Sequence, residues 1–134
     1  MDRQTGLVKV ERFTVAHDCG MVINPDGIRQ NVEGGVLQTC SRVLKESVGF
    51  DSKRVTSLDW ASYPISRFSE MPSVDVLVID RPDQPSTGAG EPSAATVPGA
   101  IANAIFDATG ARMRHIPFTP EHVLSELKIV RAAL

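Results

Sequence analysis

The sequence predicts an α+β fold, with a mixed or antiparallel sheet, two main helices packed on it and a short C-terminal helix that begins near Thr119. Two amphipathic stretches with helical spacing and one strongly alternating stretch, residues 74–80, carry this prediction. At 134 residues the chain has the size of one domain with a modest core. We therefore treat residues 1–134 as a single domain.

The first main helix is predicted to begin at a capping signal and to end near Glu46. Asn24 is the N-cap, and Pro25 occupies the first helical position. Gly34 and Gly35 lie inside this helix, where each glycine costs about 1 kcal/mol relative to alanine. We therefore expect close packing at this pair, against another element or against a bound cofactor. Apolar residues recur along the helix at spacings of three and four: Ile28, Val32, Val36, Cys40, Val43 and Leu44.

Four stretches are predicted to contribute strands. Residues 6–17 form a strand whose alternation changes phase midway, and residues 48–58 form a hairpin. Residues 74–80 alternate most regularly, and residues 112–118 form a short edge strand. These strands make up the predicted sheet.

The second main helix, residues 93–109, follows a Gly-Ala-Gly-Glu sequence and ends at Gly110. Gly88 and Gly90 allow the backbone to bend sharply and to approach a ligand closely. Glu91 then lies at the mouth of the helix, where a rigidly held carboxylate can act as a general base. The alternative is a solvated carboxylate in an exposed turn.

Composition excludes several classes of function. The net charge of −2 gives no basic surface for nucleic acid, and no apolar run approaches the length of a membrane span. The first residues do not resemble a secretory signal, so Cys19 and Cys40 are expected to be buried free thiols. His17 and Asp18 are residue types of nucleophilic sites, but neighbours on a strand point to opposite faces. We therefore expect core and turn roles for them.

A series of short motifs runs along nearly the whole chain. In order they are Asp-Cys-Gly-Met-Val-Ile-Asn-Pro at 18–25, Val-Glu-Gly-Gly-Val-Leu-Gln at 32–38, Asp-Trp-Ala-Ser-Tyr-Pro at 59–64, Gly-Ala-Gly-Glu at 88–91, Ala-Asn-Ala-Ile at 102–105 and Pro-Phe-Thr-Pro-Glu at 117–121. Together they resemble the C-terminal end of the large, molybdenum-cofactor-binding subunit of the xanthine dehydrogenase/aldehyde oxidoreductase family. The likeness is strongest to the nicotinate dehydrogenase and isoquinoline 1-oxidoreductase branch.

This resemblance implies a molybdenum hydroxylase, which uses water to hydroxylate an aldehyde carbon or a carbon next to a ring nitrogen. Glu91 matches the family's catalytic base. The family usually has glutamine at the position of Asn31, and glycine where Thr39 follows Gln38 here. No residue of this chain is expected to bind the metal directly. The residues implied to contact the molybdenum–pterin cofactor are Gln38, Gly34, Gly35, Gly88, Ala89, Gly90 and Asn31.

The resemblance also implies partners, because the family assembles its cofactor pocket from a much longer chain. These are the remainder of the molybdenum-binding subunit, an iron–sulfur subunit or domain, and an N-heteroaromatic or aldehyde substrate. The chain alone is expected to be inactive and not to hold the cofactor, and its localisation stays open between cytoplasm and periplasm. Two alternatives are a catalytically silent remnant or assembly module, and an unrelated small α+β binding domain in which Glu91 is only a turn acid.

Overall fold

The computed structural model describes residues 1–132 and confirms the α+β class. The helices and strands in chain order are β1 (Arg12–Asp18), α1 (Pro25–Leu44), a short 3-10 helix (Phe68–Glu70), β2 (Ser73–Ile79), α2 (Pro92–Thr109) and α3 (Pro120–Ala132). The two main helices and the C-terminal helix therefore lie where the sequence predicts them.

The sheet differs from the predicted mixed or antiparallel arrangement. Within the described residues it has only two strands, and β1 pairs with β2 in parallel, with Arg12 opposite Ser73 and Asp18 opposite Ile79. The physical reason is the connection: α1 lies between the two strands, and a helical crossover returns the chain in the same direction. The predicted mixed or antiparallel pairing was wrong, because the other predicted strands do not join this sheet within the described residues.

Three of the predicted strands are shorter than expected or absent from the described part of the chain. Residues 6–11 precede β1 without forming strand, and residues 48–58 contain only one antiparallel bridge, between Phe50 and Val55. Residues 112–118 form no strand and include a cis peptide bond before Pro117. The N–H of Phe118 instead donates to the carbonyl of Val43, 2.7 Å away, which ties this segment to the end of α1.

The helix boundaries follow the local signals in the sequence. The Asn24 side chain accepts a hydrogen bond from the N–H of Gly27 at 2.9 Å, so the predicted N-cap of α1 is confirmed. Gly110 ends α2 with φ of +77°, a conformation that favours glycine. At α3 the Thr119 hydroxyl accepts from the N–H of His122 at 3.3 Å. Local chemistry thus determines where each helix begins or ends.

The core lies between α1, α2 and α3. The buried apolar side chains of this cluster are Val32, Val36, Cys40, Val43, Val97, Ile101, Ile105, Ala111, Met113, Phe118, Val123 and Leu127. Cys19 and Cys40 are buried and free, as predicted. Burial raises the pKa of Cys40 to about 11, so its thiol is neutral and packs as a small apolar group. His17 is buried as well, which confirms its core role.

Several large apolar side chains are exposed in the part of the chain that follows α1. Trp60 is 75% exposed, Phe50 and Leu58 are exposed as well, and Phe68 of the 3-10 helix is fully exposed. Trp60 therefore does not pack in the core of the described residues. Within residues 1–132, no helix combines the length and the apolar character needed to cross a lipid bilayer.

Candidate functional site

The candidate site lies where the ends of the two strands meet the beginning of α1. Because β1 and β2 are parallel, the segments that follow them leave the sheet at the same edge. The N–H of Thr87 donates to the carbonyl of Cys19 at 2.8 Å, and the N–H of Met21 donates to the carbonyl of Gln84 at 3.1 Å. The Ser86 hydroxyl donates to the carbonyl of Met21 at 2.7 Å. These bonds tie the loop after β2 to the turn after β1.

The turn after β1 is built around Asp18 and Gly20. The N–H of Gly20 donates to Asp18 Oδ1 at 3.0 Å and lowers the pKa of the Asp18 carboxyl, and Arg81, at 3.4 Å, lowers it further. Gly20 has φ of +77°, and a Cβ built on it would lie 2.1 Å from the carbonyl oxygen of Pro85. Only glycine fits such a close approach, so the Asp-Cys-Gly motif holds the following loop in place.

The loop ends in residues 87–91, which we call the glycine turn. Gly88 and Gly90 are exposed, and neither has a positive φ. A Cβ added at either position would meet no atom of this chain within 4 Å. Neither backbone conformation nor packing within the described residues therefore requires glycine here. The open space in front of both residues suits a group that comes from outside the chain.

Glu91 is the N-cap residue of α2, with φ of −110° and ψ of −19°. Its side chain does not cap the helix and makes no hydrogen bond or ion pair within the described residues. The residue is exposed, so this chain by itself does not provide the dry pocket that a general base usually occupies. The Glu91 carboxylate is therefore accessible to a group from outside the described residues.

One side of α1 carries small and amide residues, and its N-terminal part lies beside the glycine turn. Gly34 and Gly35 follow Asn31 by three and four positions, and Gln38 follows them by four and three, so these residues share one side of the helix. Asn31 Nδ2 donates to the carbonyl of Ala89 at 2.6 Å and approaches the carbonyl of Gly90 at 3.4 Å. The structure thereby brings Asn31 to the turn that carries Glu91.

Gly34 and Gly35 of α1 differ in their surroundings. A Cβ on Gly35 would lie 3.7 Å from the Cβ of Ala94 and 3.8 Å from the carbonyl oxygen of Gly90, which are ordinary van der Waals distances, so packing there does not require glycine. A Cβ on Gly34 would meet nothing within 4 Å. Gln38 is exposed, makes no hydrogen bond within the described part of the chain, and lies about 10 Å along the helix from Asn31. Within the described residues, Gly35 thus lies near α2 without the close approach that would require glycine. Close packing of the pair against a cofactor stays a prediction.

A groove of about 450 Å³ separates the beginning of α1 from the glycine turn. Asn24, Ile28 and Asn31 line one side, and Thr87 and Gly90 line the other. A larger groove of about 560 Å³ runs between residues 8–14 and α2, but no residue of the glycine turn lines it. We place the candidate site at the smaller groove, because Thr87, Ala89 and Gly90 of the glycine turn line it.

Metal ligands are not part of this arrangement. Across residues 1–132, no three side chains of His, Cys, Asp or Glu come together in a way that could hold a metal ion. The site instead offers backbone groups, open glycine positions and neutral amides. These groups suit a large polar organic group rather than a bare ion.

Sequence reasoning missed the residues that fasten the glycine turn. It singled out Glu91 and the glycines but not Ser86 and Thr87, whose bonds to residues 19–21 anchor the loop. The Ser86 hydroxyl, just before the Gly-rich turn, was an available signal, since such hydroxyls often bond to nearby backbone. Thr87 bonds through its backbone N–H, which its residue type does not indicate. Their partners lie on another segment, and only the fold identifies them.

The sequence model of the molybdopterin cofactor-binding domain family matches residues 1–72, more than half of the chain. The chain belongs to this family. The match includes β1, the Asp18–Gly20 turn and all of α1, and therefore the helix face that carries Asn31, Gly34 and Gln38. The cofactor of the family is a molybdenum–pterin group, and the open glycine positions described above fit such a group. The alternative of an unrelated small binding domain was wrong.

Full-length relatives carry the same segment within much longer chains. A nicotinate dehydrogenase subunit from Pseudomonas putida is 47% identical over 127 residues, which are 95% of this chain and 11% of that protein. An isoquinoline 1-oxidoreductase subunit from Brevundimonas diminuta is 31% identical over 127 residues, 95% of this chain and 16% of that protein. These are the branches that the motifs resemble, so the family resemblance is confirmed.

A solved structure shows the same fold. The aldehyde oxidoreductase from Desulfovibrio gigas superposes with a TM-score of 0.81 at 29% identity, over 95% of this chain and 14% of that one. The chain thus spans between 11% and 16% of the length of these three proteins. Most of each relative therefore has no counterpart in this chain.

Proposed function

We propose that residues 1–134 are a single domain, the C-terminal portion of the cofactor-binding domain of a molybdenum hydroxylase. In this proposal the chain supplies one wall of the molybdenum–pterin pocket and, in Glu91, the catalytic base. The observation that supports it is the setting of Glu91, an exposed carboxylate without a partner in the described residues. Glu91 follows Gly88 and Gly90, and neither backbone conformation nor packing within the described residues requires glycine at those positions. The family membership of the chain supplies the group that would fill this space.

The cofactor wall is formed by α1 and the glycine turn. Gly34, Gly88 and Gly90 leave room for close approach, because no described atom of this chain lies where their side chains would be. Gln38 offers an exposed amide that can donate to and accept from a pterin ring. The residues proposed to contact the cofactor are Gly34, Gly35, Gln38, Gly88, Ala89 and Gly90, and Asn31 lies beside them on the same side of α1.

Glu91 handles the proton of the reaction. When bound, the cofactor supplies the two-electron redox chemistry that hydroxylates the substrate with oxygen from water. The Glu91 carboxylate accepts, on one of its oxygens, the proton that the attacking oxygen releases. Pro92 follows directly at the first position of α2 and restricts the backbone there. α2 packs in the core through Val97 and Ile101, which fixes the backbone that follows Glu91.

The rest of the enzyme is proposed to come from other chain segments. The remainder of the molybdenum-binding subunit closes the pocket over Glu91 and excludes water, which strengthens electrostatic interactions inside it. An iron–sulfur subunit or domain receives the electrons, and the substrate is an N-heteroaromatic or aldehyde compound. The likeness to nicotinate dehydrogenase favours the N-heteroaromatic class. The chain alone is then inactive and does not retain the cofactor.

The reaction class can be tested with isotopically labelled water. The complete enzyme, with this chain in its native subunit and an artificial electron acceptor present, is incubated with nicotinate, isoquinoline or an aromatic aldehyde in labelled water. We expect one labelled oxygen per molecule of hydroxylated product, detected by mass spectrometry. Product without label, or no product from any of the three compounds, would overturn the proposed reaction.

A further inference from the structure

We infer that Asn31 is a positioning residue that sets the direction of Glu91 by holding the glycine turn. This inference rests on the proposed function of Glu91 and assigns Asn31 a role other than direct contact with the cofactor. The atoms involved are the side-chain nitrogen of Asn31 and the carbonyl oxygens of Ala89 and Gly90.

The backbone of Asn31 is held in place by the packing of α1. α1 is capped by Asn24 and buries Val32, Val36 and Val43 in the core, so the helix backbone at position 31 is fixed by packing. From there the side chain reaches a segment 58 residues further along the sequence. The Asn31 Nδ2 to Ala89 carbonyl oxygen distance is 2.6 Å, slightly shorter than is usual for an N–H···O hydrogen bond.

The glycine turn has little else to hold it. Thr87, the first residue of the turn, is anchored by its bond to Cys19, and the carbonyl of Glu91, the last residue, accepts from the N–H of Ala95. Between these points, Asn31 makes the only side-chain hydrogen bonds to residues 88–90 within the described part of the chain. Gly88 and Gly90 have the widest backbone freedom of any residue type. Without Asn31 this short span would sample several conformations.

The conformation of the glycine turn determines the orientation of the Glu91 backbone. The carbonyl of Gly90 and the N–H of Glu91 belong to one planar peptide unit, so orienting the carbonyl orients the bond that leads to the Glu91 Cα. The Glu91 side chain has no partner of its own in the described residues. Its direction therefore depends on the backbone, and a displacement of about 1 Å at a reacting group can lower a rate about a hundredfold.

The experiment compares Asn31→Leu with Gln30→Leu in the complete enzyme. Both changes replace an exposed amide of α1 with leucine, and Gln30 makes no hydrogen bond within the described part of the chain. We expect Asn31→Leu to lower kcat about tenfold to a hundredfold, with KM and molybdenum per subunit unchanged. Gln30→Leu should match the wild type. Asn31→Gln, which restores an amide donor, should recover much of the lost kcat.

Two further readouts separate positioning from a general structural effect. In a Glu91→Gln background, Asn31→Leu should cause no further loss of kcat, because a residue that acts through Glu91 has nothing left to position. Hydrogen exchange of peptides covering residues 87–95 should be faster in Asn31→Leu than in Gln30→Leu. Asn31→Ser, which is too short to reach Ala89, repeats both readouts should the leucine variant fold poorly.

Three results would contradict this inference, and each has a different consequence for the proposed function of Glu91. Loss of molybdenum from Asn31→Leu and Asn31→Ser would overturn the inference and make Asn31 a cofactor contact. Equal kcat in Asn31→Leu and Gln30→Leu, with Glu91→Gln inactive, would overturn it and leave the proposed function standing. Full activity of Glu91→Gln would instead remove the proposed base, and with it the reason for positioning it.

Discussion

Glu91→Gln in the complete enzyme should lower kcat by two orders of magnitude or more, while molybdenum per subunit stays at the wild-type value. Glutamine keeps the size of the side chain but cannot accept a proton at neutral pH, and general-base catalysis is typically worth about 100-fold to 10,000-fold. The variant should fold normally, because the Glu91 side chain neither caps α2 nor bonds to another described residue. Steady-state kinetics and metal analysis of the same preparation provide the measurement.

Glu121→Gln is the matched control for this change. Glu121 is also exposed and lies in the first turn of a helix, α3, so the substitution removes the same charge from a similar position. We expect it to leave kcat unchanged. Near-normal turnover in Glu91→Gln would exclude Glu91 from the mechanism, and equal losses in both variants would point to a general charge effect.

Gly34→Leu should lower the molybdenum content of the complete enzyme about tenfold or more without unfolding the subunit. Gly34 is exposed, and no described atom of this chain lies within 4 Å of a Cβ there, so a side chain can leave the helix at this position without meeting the chain. Leucine also stabilises a helix by roughly 0.5–1 kcal/mol relative to glycine. The side chain would, however, fill the space that we assign to the cofactor. Molybdenum per subunit and the thermal unfolding temperature are measured together.

Gly99→Leu serves as the control, because it repeats the same change on the other main helix. Gly99 is exposed in α2, and a Cβ there also meets nothing within 4 Å. It lies two positions from both Val97 and Ile101, and therefore faces away from the core. We expect this variant to gain the same helix stability and to keep its molybdenum. Full molybdenum content in Gly34→Leu would place the cofactor elsewhere.

Local chemistry made most of the helices predictable from the sequence. The cap at Asn24, the stop at Gly110 and the hydroxyl at Thr119 act on neighbouring residues, so their effect can be recognised without the fold. Strand pairing depends on distant segments, and here it was partly wrong. The parallel pairing of β1 with β2 follows from the crossover through α1, which alternation within a single strand does not indicate.

The candidate site was predictable in its parts but not in its assembly. Glu91 and its flanking glycines stand next to each other in the sequence, so the turn could be recognised directly. The contact of Asn31 with Ala89 joins residues 58 positions apart and depends on how α1 packs against the loop after β2. The difference between Gly35, which lies near Ala94, and Gly34, which faces open space, likewise appears only in three dimensions.

Exposed apolar surface agrees with the short span of the chain relative to its relatives. A two-stranded parallel sheet is unusual, because parallel sheets are normally covered on both faces. Here Leu77 of β2 is 63% exposed, and Trp60 and Phe68 are exposed on the segment after α1. In the proposed enzyme these surfaces meet the remainder of the subunit, which the relatives possess and this chain lacks.

We propose that this chain forms one wall of a molybdenum pocket within a larger subunit assembly. This is tested most directly by measuring molybdenum per chain and the masses of the associated polypeptides in the native assembly, captured with an antibody against this chain. We predict about one molybdenum per chain, in an assembly that contains the remaining cofactor-binding segments and an iron–sulfur component. A free chain of 134 residues without metal would contradict the account and favour a catalytically silent remnant.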